Sequence, residues 1–179
     1  MGVLMNQMPI KLVVSIIYKE DRFLKKAEEE LKKHYGDSEA FFLKVPFDYT
    51  KYYCEEMGSP LKRKEISFKK LVETKKIPDI KLLTNKIEDK FCEKNKRTVN
   101  IDPGYITAAK LVLLTTKDFV HRVYLGKCIF AESTLFYQNN TFNAWPWTYP
   151  DYASKEMVDY FNKVREVYVN GSPGIKDIT

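Results

Sequence analysis

The sequence predicts an α+β fold: a mixed or mainly antiparallel sheet with about three main helices. Three observations lead there. The run KLVVSIIY at residues 11–18 is rich in β-branched residues and short, as a buried strand is. Separate segments elsewhere repeat apolar residues at helical spacing. From Arg97 onward, strand-like stretches alternate with turn-forming residues, the pattern of an antiparallel meander.

Each element has its own justification. After the strand at 11–18, Asp21 opens a helix with Leu24, Ala27, Leu31 and Tyr35 on one stripe, and Gly36 ends it. His34 reads as a favourable cation at that helix's C-terminus. Ala40 to Phe47 reads as a second strand, and the order strand, helix, strand allows a parallel pair with a right-handed crossover. Residues 48–64 carry no clean period, and Gly58 and Pro60 argue for a loop. A short helix is expected over 67–75. Pro78 and Asp79 start another, with Ile80, Leu83, Ile87 and Phe91 as its apolar stripe and Lys81, Asn85, Glu88 and Lys90 as a solvated face.

The second half is mostly strand. Arg97 to Ile101 alternates, and Pro103 and Gly104 are expected to break it. Lys110–Thr116, His121–Leu125, Cys128–Tyr137 and Thr141–Trp147 follow, with Lys117 and Asp118 near a turn, Gly126 as a bulge and Asn139-Asn140 as a hairpin turn. Ser154 caps a last helix whose stripe is Met157, Phe161, Val164 and Tyr168. Residues 9–170 thus read as a single globular domain, with 1–8 and 171–179 as loose tails.

At 179 residues the chain is long enough for a self-sufficient core, and twelve Tyr and eleven Phe supply large packing units. No apolar run reaches the roughly 18 residues of a membrane span. The first residues lack the charged start and cleavage site of a signal peptide, so a cytoplasmic protein with no membrane partner is expected. The net charge of +6 comes from 25 Lys and only 5 Arg, scattered along the chain. Dispersed Lys marks solvated surface more than a phosphate-reading face, which leaves nucleic acid as a secondary partner. Cys54, Cys92 and Cys128 form no CxxC pair, so a zinc site or disulfide framework is not expected, and each reads as a small semi-buried hydrophobe.

Chemistry concentrates between Arg97 and Tyr152. Asp102 precedes Pro-Gly, where a carboxylate can orient a ligand, hold a metal or bond its own turn. Glu132 lies on a strand with no plainly solvent-facing side, so it must be paired or protonated. Arg97, Lys110 and Arg122 are its candidate ion partners, and general base or metal ligand its functional roles. His121 could serve as acid, base or ligand. It and Arg122 point to opposite faces if their strand is regular. The aromatic run from Trp145 to Tyr152 could stack on a base or sugar, or pack as a lid on the sheet.

The leading expectation is a domain that binds a small anionic, phosphorylated ligand. Lys117, His121 and Arg122 would supply positive charge, with Asp102 and Tyr105 orienting the ligand. The alternatives are a metal-assisted hydrolase or transferase, and an RNA-associated module. In the enzyme reading Asp102, His121 and Glu132 are the catalytic candidates, and Asp102 and Glu132 would hold Mg or Mn. Thr116-Lys117-Asp118 lacks the spacing of a guanine-reading loop, and no GxxxxGK[ST] phosphate loop, GxGxxG, HExxH or GxSxG occurs.

Several strings together carry a resemblance: YYCEEMG..LKR, IKLLTNKIE, VNIDPGYIT, KLVLLTTKD, HRVYLGK.I.AE.TL.Y and WTYPDY. With them the chain, from about Lys11 to Tyr168, resembles an uncharacterised prokaryotic family of unknown function whose members often carry an automatic GTP-binding label. The resemblance implies a compact domain and carries over no catalytic residues.

Overall fold

Strand β1 (Lys11–Tyr18) is buried at every position and forms the middle of the sheet. It pairs antiparallel with β3 (Leu61–Ser67) on one edge and with β4 (Val99–Ile106) on the other. Outside β3 lies β2 (Leu43–Phe47). Beyond β4 come β5 (Lys110–Thr115) and β7 (Ile129–Gln138), whose far edge is shared by β6 (Val123–Gly126) and β8 (Thr141–Ala144). Every pairing is antiparallel. This computed structural model describes residues 8–50 and 52–172, so the stretches read as loose tails fall mostly outside the described residues.

The unbroken burial of β1, which includes Lys11 and Ser15, follows from its having helices on both faces. Leu12, Val14, Ile16 and Tyr18 pack with Leu24, Ala27 and Leu31 of α1 (Asp21–Tyr35) and with Ile80 and Ile87 of α3 (Ile77–Lys90). Val13 faces the other way, into a cluster with Met157, Phe161 and Val164 of α4 (Lys155–Asn170). The Ser154 hydroxyl caps α4 by accepting a bond from the Met157 N–H. A single turn, α2 (Cys54–Met57), closes a smaller cluster with Ile17, Phe47 and Leu61.

Several expectations need correction. β1 and β2 do run the same way, but β3 lies between them, so no parallel pair forms. Part of the expected loop at 48–64 is strand β3, hidden by its composition, LKRKEIS, in which Arg63 and Glu65 sit on a buried face. The expected helix at 67–75 is absent, with only a 3-10 turn at Thr74–Lys76. His121 and Arg122 lie in the turn before β6 rather than within it, and the last strand ends at Ala144. Cys92 and Cys128 are exposed. The Asn139-Asn140 turn is present, both residues having φ near 60° (55° and 61°), and the register shifts at Gly126 as a bulge requires.

The largest departure concerns Pro103 and Gly104, which do not break β4. Ile101 directs both of its edge-facing backbone groups away from β1, and by alternation Pro103 and Tyr105 face that same edge. Pairing between β4 and β5 covers only Gly104–Ile106 and stops there. Proline has no N–H to offer at the next rung, so the ladder ends while the strand runs on against β1. Gly104 allows the last rung. A Cβ there would lie 2.6 Å from the Val112 carbonyl oxygen and 2.8 Å from Leu113 Cδ2.

Gly104→Ala is therefore expected to destabilise the protein by about 1–3 kcal/mol through overpacking. Denaturant unfolding checks this, and an unchanged midpoint would contradict so close an approach of β5.

Candidate functional site

Where β5 leaves β4, a cleft of about 640 Å³ opens. One wall is the unpaired half of β4, with Asn100 and Asp102; opposite it run Leu113 to Lys117 at the end of β5, with Arg122 and Glu132 beside them. Helix α3 contributes Lys81, Asn85 and Glu88, and the segment around α2 contributes Tyr49, Tyr52 and Tyr53. Arg63 from β3 and Tyr149 to Tyr152 complete the lining. Each of the six strings singled out in the sequence places residues on this one cleft.

The bare edge of β4 is satisfied by side chains. Glu88 Oε1 accepts the Ile101 N–H at 2.6 Å, and Lys81 Nζ donates to the Ile101 carbonyl at 3.2 Å. Lys81 and Glu88 thus stand in for the strand that is missing. Lys81 also donates to Asp102 Oδ1 at 3.0 Å, and Asn100 Nδ2 donates to Asp102 Oδ2 at 2.6 Å. The expected solvated face of α3 is in fact the side that fills the gap, and both Lys81 and Glu88 are buried.

These contacts set the charges. Burial alone would raise the Asp102 carboxyl, but the Lys81 ammonium, the Asn100 amide and the nearby Arg63 hold it below the ordinary carboxylate range. Burial pushes Glu88 up to about 7 against the opposing pull of Lys81. Glu65, behind the cleft wall on β3, is likewise pushed up to about 7 by burial, with Arg63 pulling it down. Arg63 forms an ion pair with Asp151 at 2.5 Å, and its guanidinium lies 4.5 Å from the Phe47 ring and 5.0 Å from that of Tyr152. On the α2 side, Arg97 grips Glu56 through Nε at 2.9 Å and Nη2 at 2.6 Å.

Residues 8–168 match a known family, described as Domain of unknown function (DUF4416). The chain belongs to that family. No curated protein and no solved structure matches it. Among the described residues of the DUF4416 domain, no helix is long and apolar enough to cross a membrane.

Of the residues expected at a site, Asp102, Lys117, Arg122 and Glu132 do line one cleft. Glu132 is buried and takes the Arg122 Nε–H at 2.7 Å, with His121 Nε2 at 3.2 Å, so of its three candidate ion partners Arg122 is the one used. The turn preceding β6 removes the expected conflict between His121 and Arg122, since a turn lets both reach one carboxylate. His121 does not line the cleft; it stacks on Trp147 at 5.5 Å. Tyr105 also lies elsewhere, packed with the core under α1 and α3, because it alternates with Asp102 and Gly104 to the opposite face. Asp102 is engaged by Lys81 and Glu132 by Arg122, and among the described residues no group of three or more His, Cys, Asp or Glu side chains could hold a metal ion together. The indoles of Trp145 and Trp147 stack on each other at 5.1 Å and both donate to Ser133, so this run packs onto the sheet.

The raised carboxyls have a pH signature. Glu65 and Glu88 hold a proton more tightly folded than at their ordinary value of 4.5. Between about pH 4.5 and about pH 7 the folded state keeps a proton that the unfolded chain has lost, so their contribution to stability falls as pH rises through that window. Asp102 and Glu56, held low, act in the opposite sense at more acid pH. In denaturant titrations Glu65→Gln should be less sensitive to pH than the wild type across this window. Parallel pH profiles for the two proteins would contradict an uncharged Glu65.

Proposed function

We propose that the DUF4416 domain binds a small anionic, phosphate-bearing molecule in the cleft between β4 and β5. One observation carries this reading. Lys117 lines the cleft, and no carboxylate among the described residues lies within ion-pair distance of it; its ammonium sits 4.9 Å from the Tyr52 ring. The other cleft cations are already matched: Arg63 by Asp151, Lys81 by Asp102, Arg97 by Glu56 and Arg122 by Glu132. An incoming anion therefore gives Lys117 the counter-charge that no neighbouring carboxylate supplies. Thr115 and Thr116, which precede Lys117, also line the cleft, and the Arg122 guanidinium donates to the Lys117 carbonyl at 3.0 Å. Fixed donors in a concave, partly aromatic recess are the usual means of orienting a small ligand.

A second reading, hydrolysis or group transfer in the same cleft, draws support from two carboxyls pushed in opposite directions. Asp102 is kept ionised while Glu88 is poised near neutrality, with Lys81 interacting with both. Such a split is how paired carboxyls divide the roles of acid and base.

Thermal-shift and calorimetric titration against sugar phosphates and nucleotides test the binding reading. At least one compound should raise Tm and bind the wild type, with Lys117→Ala weakening binding about ten-fold or more and leaving the unliganded Tm nearly unchanged. A flat response across the panel, or equal binding by Lys117→Ala, would remove its basis.

A further inference from the structure

We infer that the outer edge of β6 is a self-association surface, at which β6 of one copy pairs antiparallel with β6 of a second copy about a two-fold axis. The inference is independent of what the cleft binds.

The sheet has two ends, and they differ in kind. At one end lies β2, LKVPF, which carries Lys44 and Pro46. A lysine and a proline on an edge strand discourage further pairing, one by its charge and the other by its missing N–H. At the other end lies β6, VYLG, which carries neither, and among the described residues no strand pairs with its outer side. The side chains around it are apolar and exposed. Val120 is 93% exposed, Val123 67%, Phe119 60% and Tyr124 59%, with Leu125 and Trp147 each more than a third exposed. Ring contacts join them: Phe119 meets His121 edge-on, His121 stacks on Trp147, and Tyr124 lies against Phe130.

Area and charge select a second copy as the occupant. At roughly 150–250 Å² for an aromatic side chain and somewhat less for Val and Leu, these fractions amount to about 600–700 Å² of surface. That is most of the roughly 800 Å² that each partner of a stable interface buries. The chain carries a net charge of +6 from scattered Lys, so most faces of two copies repel each other. Asp118 to Gly126 contains no Lys, and its one Arg, Arg122, is matched by Glu132. Two copies can therefore meet here without setting like charges against one another. A strand paired antiparallel with itself is also self-complementary, as a two-fold interface must be. Four residues supply only a few ladder bonds, so the apolar side chains carry most of the association.

Sedimentation equilibrium of the full chain at micromolar concentrations tests this. The wild type should show twice the chain mass. Val123→Lys puts a like charge on the edge of both copies and should weaken dimerisation at least about ten-fold. Phe42→Lys makes the same change of charge at an exposed residue beside β2 and should leave dimerisation nearly unchanged. Val123 is already mostly exposed in a single copy, so its lysine variant should fold, and the wild-type mass stands as a test without any variant. A monomeric wild type overturns the inference and leaves the patch to an unlike protein. A dimer that survives Val123→Lys, or one that Phe42→Lys weakens as much, overturns the assignment to β6.

Discussion

The molecule is organised around one unpaired stretch of backbone. A central strand that loses its neighbour halfway along would ordinarily bury unsatisfied amide groups, each costing about 1–3 kcal/mol. At Ile101 that cost is met by two side chains of one helix: Glu88 takes the N–H and Lys81 serves the carbonyl. Because no strand blocks the edge, Lys81 also reaches Asp102 on the face of β4 turned away from α3. The cleft, its fixed charges and the burial that pushes the Glu88 carboxyl up all depend on this substitution of side chains for a strand.

The charges around the cleft form linked pairs more than independent groups. Arg63 joins Asp151 and lies near Glu65, held between the rings of Phe47 and Tyr152. Arg97 clamps Glu56 and donates to Asn100, whose amide in turn fixes Asp102. Buried pairs of this kind add little net stability, but removing one member strands the other, so the network is rigid. Rigidity of this sort is what a recognition site needs, since donors already fixed in place lose little freedom when a ligand arrives. Lys117 stands outside the pairing, at the end of β5.

Sequence reasoning found the region and misjudged part of its mechanism. Asp102, Lys117, Arg122 and Glu132 were legible because polar residues in apolar strands need a reason to be there. Lys81 and Glu88 were not, because helical spacing identifies the face opposite an apolar stripe as solvated and cannot know that a strand is missing above it. Tyr105 was assigned to the site by proximity along the chain, whereas strand alternation sends it to the other side. Arg63 and Glu65 were overlooked since a strand carrying four consecutive charged residues, Lys62 to Glu65, has no recognisable period.

What the sequence determined by itself was local: the buried strand at 11–18, the three long helices, the hairpin turn at Asn139-Asn140 and the antiparallel character of the second half. Periodicity, caps and turn residues act over a few positions and can be read in order along the chain. Tertiary structure alone decided where β3 inserts, that Pro103 ends a ladder without ending a strand, and that six separated strings meet in one cleft. Each of these turns on which strand lies beside which. Strand adjacency depends on contacts between distant residues, and no local pattern encodes it.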